Sequence, residues 1–199
     1  MSRLNIEKCK KLIQFKKPVS LFTRHRDGDR YNGIIVGCSK DVILIESDND
    51  FVFDGIIALP TRQIKNLRHS QFEKTLDRIF TKFGLLKLKK RSPWLLKTET
   101  MQQLVSECFK RKLWPIIEMQ HKRGNALYIG PITSVEKNGF QIFAYDANGK
   151  WEKNYSLTYN EIFKIQLFDK YSTYFNKFMK EKVETKTLLK KLFERKKRK

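Results

Sequence analysis

Enzymes need reactive groups at workable spacings, and in this 199-residue sequence such groups are sparse. The three histidines, His25, His69 and His121, are widely separated, and none has a metal-ligating partner at a useful spacing. They read as surface histidines. Cys9, Cys38 and Cys108 are odd in number and form no Cys-x-x-Cys pair, which argues against a zinc knuckle and against a disulfide framework. Buried free thiols are the expectation. Glu46, Asp48, Asp50 and Asp54 gather around one turn but lack the glycine and terminal glutamate of a calcium loop, so they read as a solvated hairpin. No phosphate-binding glycine loop and no nucleophile elbow occurs. The expectation is a protein that is not an enzyme and needs neither cofactor nor metal.

The chemistry that is abundant is positive charge. There are 42 Lys and Arg against 21 Asp and Glu, a formal net charge of +21. Such an excess attracts polyanions, nucleic acid first, then an acidic protein or an anionic membrane surface. A merely lysine-rich solvated surface is the competing explanation. Three basic surfaces stand out. The connector from Leu85 to Lys97 holds Lys87, Lys89, Lys90, Arg91 and Lys97 around Trp94, cations for a backbone and an aromatic ring for a base. Its alternative is Trp94 packed on the fold beside solvated lysines. Two hairpin tips carry Arg24, Arg26 and Arg30 in one place and Lys122 and Arg123 in another, placed to meet phosphates or simply to be polar turns. The tail, Lys190, Lys191 and Arg195 to Lys199, adds nonspecific attraction at most.

The elements that must position these residues come in two sets. Pro18 to Ile45 recurs 97 positions later as Pro115 to Ile142, with Arg26 falling on Arg123, Tyr31 on Tyr128, Gly33 on Gly130, Ile35 on Ile132 and Lys40 on Lys137. After a one-residue gap Leu59 falls on Leu157 and Ile64 on Ile162. This is an internal duplication. Each copy begins with an amphipathic helix, over residues 3 to 16 and again from a Thr98 or Thr100 cap through Lys112, ended by Pro18 and Pro115. Short strands follow: Val19 to Thr23, Arg30 to Val36, Val42 to Ile45, Phe51 to Phe53, Ile56 to Leu59 and Ile64 to Leu67. The second set runs Ile116 to Gln120, Ala126 to Ile132, Phe140 to Tyr145, Trp151 to Leu157 and Ile162 to Phe168. Gly33 and Gly130 sit inside strands, where glycine marks a sharp bend or a close backbone approach. Helices close both sets, with Phe72, Leu76, Ile79, Phe80 and Phe83 in the first and Tyr171, Tyr174, Phe175, Phe178 and Met179 in the second. The second extends through Phe193 with a break near Thr185.

The order Val19, Leu21, Gly28, Tyr31, Gly33, Ile35, Leu44 resembles the first motif of the Sm-like family, and Tyr128, Gly130, Ile132 and Ile142 follow it more loosely, with Asn125 at the turn glycine. The resemblance covers about 110 residues at the level of topology. It implies a short helix followed by a strongly bent five-stranded barrel. It does not extend to that family's base pocket. Ser39 and Ile43 stand where Sm proteins have an Asp and an Asn, and Asp54-Gly55 stands where they have an Arg-Gly pair. The fold expected is α+β and mostly β, two tandem Sm-like five-stranded small barrels flanked by helices. Residues 1–84 form the first barrel domain, 85–97 the connector, 98–184 the second barrel domain and 185–199 a basic helical tail. No signal peptide or membrane span is legible, so an intracellular, cytoplasmic protein without membrane contact is expected. The expected partner is nucleic acid, RNA rather than DNA, held by phosphate contacts from the connector and the hairpin tips, with Trp94 stacking on a base. The alternative is an adaptor or scaffold that binds protein.

Overall fold

The computed structural model describes the chain apart from residues 1–3, 25–28, 87, 89–91, 122–123 and 197–199, and apart from the side chains of residues 121 and 184–196. Helix α1 (Ile6–Gln14) starts where the Asn5 side chain accepts a hydrogen bond from the Lys8 amide. Five strands follow: β1 (Pro18–Thr23), β2 (Arg30–Cys38), β3 (Val42–Asn49), β4 (Val52–Pro60) and, after a short 3-10 turn at Thr61–Gln63, β5 (Ile64–Arg68). Helix α2 (Gln71–Lys82) is opened by a reciprocal capping box between Ser70 and Glu73 and closed by Gly84 in the left-handed region at φ +62°. The connector contains one turn of helix, α3 (Pro93–Leu96), with its proline where an amide hydrogen would have no partner. Helix α4 (Met101–Lys110) is capped by Thr100.

The second set then repeats the first. Strands β6 (Ile116–His121), β7 (Gly124–Ile129), β8 (Ile132–Val135), β9 (Gly139–Tyr145) and β10 (Trp151–Thr158) lead into a second 3-10 turn, Tyr159–Glu161, and β11 (Ile162–Leu167). Helix α5 (Lys170–Lys196) follows β11 and runs without the interruption expected near Thr185. The duplication extends to geometry. Gly33 has φ +154°, and a Cβ there would lie 2.0 Å from the Glu46 carbonyl oxygen. Gly130 has φ +152°, and its Cβ would lie 2.2 Å from the carbonyl oxygen of Phe143, the residue 97 positions after Glu46. At both sites one backbone crosses another too closely for any side chain.

Two closed barrels do not form. The strands make one eight-stranded antiparallel sheet, ordered β5-β1-β2-β3-β4-β11-β6-β7, and a separate three-stranded sheet, β10-β9-β8. Two local causes account for the open arrangement. The open side of β4 is taken by β11 of the other set, pairing Ile56 with Leu167 and Ala58 with Ile165, so the first set continues into the second instead of closing on itself. In the second set Gly130-Pro131 divides what is one strand in the first. Pro131 has no amide hydrogen to give to a ladder, and β8 leaves the large sheet.

The cores follow the sheet. The largest joins Leu44, Ile56 and Ala58 of the first set to Ile117, Ile165 and Leu167 of the second, roofed by Leu104, Val105 and Cys108 of α4. Fully burying one such aliphatic side chain is worth about 1.5–3 kcal/mol, so the junction between the sets is a core rather than a loose contact. A second core lies under α1, around Cys9, Leu21, Ile45 and Leu59. The third is small and aromatic, Tyr145 and Met179 with Trp114, Trp151 and Phe175 against them. The Asp54-Gly55 pair finds its role at the junction. Asp54 Oδ1 accepts a hydrogen bond from the Lys170 amide at 2.9 Å, and a Cβ on Gly55 would lie 2.7 Å from the Leu167 carbonyl oxygen.

Candidate nucleic-acid interface

Most of the cations singled out from the sequence, Lys87, Lys89, Lys90, Arg91, Arg26, Lys122 and Arg123, lie outside the described residues, as does the side chain of His121. Those that are described do not converge. Trp94 lies on α3, half buried against the main core, with the Arg111 guanidinium 4.8 Å from its ring centre. Arg24 is exposed, and its amide is tied to the Gln63 carbonyl. Arg30 is exposed at the start of β2, 5.8 Å from the Phe72 ring. Arg68 lies over both Phe22 and Phe72 and is paired with Glu73 at 2.9 Å.

Lys97 does find company. It lines a cleft of about 450 Å³ between α1, the β2–β3 turn and the α3–α4 connection, with Lys10 and Lys40 as further cations. Asp41, Glu99 and the Ser39 and Thr98 residues share its walls. Cys38 lies in the same wall, its thiol donating to the Ser39 carbonyl oxygen. A second cleft of about 440 Å³ runs between the Leu113-Trp114 turn and α5. Its rim carries Lys177 and Lys180, its floor Leu167 and Phe168, and the Lys180 ammonium sits 4.8 Å from the centre of the Trp114 ring. Trp114 is fixed from behind. Its ring meets Trp151 edge-on at 5.8 Å, and its carbonyl accepts from Asn176, whose own oxygen accepts from the Tyr145 hydroxyl.

The outer face of α5 continues this character. Tyr171, Tyr174 and Phe178 are exposed by 52%, 72% and 54%, and the helix carries nine Lys and Arg against three Glu. Aromatic faces interleaved with ammonium groups are what a nucleic-acid strand uses, the rings for bases and the cations for phosphates. The apolar stripe legible in the sequence divides, with Phe175 and Met179 packed inward and Tyr171, Tyr174 and Phe178 exposed, and Trp114 carries no signal in the sequence that would single it out. The available signal was the i, i+3 pair Lys177 and Lys180; the approach of Trp114, 62 residues before Asn176, is a tertiary event.

Of the other histidines, His25 also lies outside the described residues. His69 Nδ1 lies 2.8 Å from the Pro18 carbonyl oxygen, a structural contact. Among the described residues no group of three His, Cys, Asp or Glu is placed to hold a metal ion. The acidic cluster is not the solvated hairpin expected. Glu46 is fully buried in β3, and burial pushes the Asp48 carboxyl above the usual range, against one backbone hydrogen bond from Phe51. No helix among the described residues is long and apolar enough to cross a membrane. No protein-family model, no curated protein and no solved structure matches this chain.

Proposed function

We propose that the protein binds nucleic acid, RNA in preference to DNA, as a non-enzymatic partner. The observation that supports this reading is that two clefts of nucleotide size are both rimmed by lysines, on a chain of net charge +21. Lys10, Lys40 and Lys97 at one cleft and Lys177 and Lys180 at the other supply phosphate contacts, joined by Arg24 and Arg30 and by the connector and hairpin cations. Fluorescence anisotropy with a labelled RNA tests it. With about six phosphate contacts, affinity falls about a thousandfold between 50 and 200 mM salt. A Lys40→Glu, Lys97→Glu chain binds more weakly and with a shallower salt slope. Binding that is undetectable at 50 mM salt removes the reading. An adaptor function remains the second reading, favoured by the exposed rings of Phe72 and Phe83 on α2, a surface suited to an apolar protein partner.

A further inference from the structure

Resting on the nucleic-acid reading, we infer that the cleft between Trp114 and α5 is a stacking subsite for one unpaired base, so that the protein selects single strands over duplex. The cleft, about 440 Å³, is large enough for a nucleotide and far too narrow for a duplex. Its aromatic wall is held before any ligand arrives. Trp151 braces the Trp114 ring, and the Asn176 amide, itself held by the Tyr145 hydroxyl, pins the Trp114 carbonyl at 2.8 Å. A platform fixed in this way loses little conformational freedom on binding.

The open face of Trp114 is covered by the Lys180 ammonium at 4.8 Å, a contact worth little at an exposed site. An entering base takes that place, and the long Lys180 side chain turns with its charge toward the adjoining phosphate, beside Lys177. Base and phosphate therefore meet an aromatic plane and two cations within one turn of helix, with the Glu181 carboxylate also in the lining. Paired bases are stacked on each other and do not present a free face, which is the physical origin of the discrimination. The exposed Tyr171, Tyr174 and Phe178 extend the same surface along the other flank of α5.

The test compares a single-stranded 12-nucleotide RNA with a duplex of the same length, binding to the full chain at 100 mM salt. The wild type binds the single strand at least about fivefold tighter. Trp114→Leu, which keeps apolar bulk but removes the π-face, loses about tenfold on the single strand and nothing on the duplex, the scale of one stacked base. Trp114→Phe restores most of the preference. Should Trp114→Leu not fold, Thr173→Met with Lys177→Met, both exposed on the rim, must narrow the ratio between the two probes. Equal affinity for both probes, or a ratio untouched by these variants, overturns the subsite while leaving the nucleic-acid reading standing, and a cleft filled by a peptide or a lipid headgroup gives that result. Failure of both probes to bind removes the nucleic-acid reading and the subsite with it.

Discussion

A helix follows the last strand of each set, α2 after β5 and α5 after β11, and the two are fastened by opposite chemistries. Glu73, on α2, is completely buried and takes hydrogen bonds from Ser20 at 2.6 Å, from the Ser70 amide at 2.7 Å and from the Ser70 hydroxyl at 3.1 Å, with Arg68 Nε at 2.9 Å. Ninety-eight positions on, α5 has Tyr171, and Ile117 stands in β6 where Ser20 stands in β1. There the fastening is aromatic. Tyr145 stacks on Phe175 at 5.2 Å with the rings 4° from parallel, and Met179 is buried beside them. One backbone path can thus be held by a saturated carboxylate or by packed rings. The first kind of anchor responds to protons and the second does not.

The largest effect is expected where the two sets agree. Gly33→Ala and Gly130→Ala each force a Cβ to within about 2 Å of a backbone oxygen at positive φ, and each costs about 4 kcal/mol or more in urea unfolding. Gly84→Ala, at a left-handed position but with open space around it, costs about 1 kcal/mol. If Gly130→Ala were as mild as Gly84→Ala, the geometric equivalence of the two sets would be broken.

Glu73 comes next. Burial alone would raise its carboxyl, but the hydrogen bonds from Ser20, Ser70 and Arg68 hold it at about 2. The folded value lies below the unfolded one near 4.5, so this stabilisation is complete above pH about 5 and fades as pH falls toward 2. It amounts to about 3 kcal/mol. Glu73→Gln is expected to lose about that much at pH 7 and to flatten the acid limb of the stability curve. An acid limb unchanged in the variant would show that other carboxylates control it.

Phe175→Ala is expected to cost about 3 kcal/mol, equally at pH 3.5 and pH 7. A pH-dependent cost would erase the contrast between the anchors. Tyr145→Phe, which removes only the 2.7 Å hydrogen bond to Asn176, is expected to cost about 1 kcal/mol. Asp54→Ala, which removes the acceptor for the Lys170 amide, is expected to cost no more than that.

The individual helices and strands could be read from residue order because their signals are local. A glycine inside an alternating pattern marks a close crossing, and the pattern marks two, Gly33 within β2 and Gly130 between β7 and β8. Asn5, Ser70 and Thr100 stand before helices as caps do. The partner of β4 could not be read. Alternation says which face of a strand is buried but not which strand lies at its edge, and Ile56 and Ala58 suit a barrel wall as well as a shared sheet. The Sm-like resemblance favoured closure within each set, whereas the pairing runs across them. For the candidate site, charge was legible and position was not. Lys97 shares its cleft with Lys10 and Lys40, and Trp114 faces Lys180, only after the chain has folded. The apolar stripe on α5 is legible, but a helix repeat cannot tell which of its residues a neighbour will cover. The buried side is set by Ser172, Asn176 and Met179, and Tyr174 is left outside.

The pairing of β4 with β11 also bears on how the chain assembles. The two strands face each other with apolar side chains, and a first set produced alone would present Ile56 and Ala58 along an unpartnered edge, a template for aggregation. Tethering both strands in one polypeptide turns a bimolecular encounter into an intramolecular one at an effective concentration in the millimolar range. Separately expressed pieces, residues 1–84 and 98–199, should therefore be sticky apart and should reconstitute when mixed.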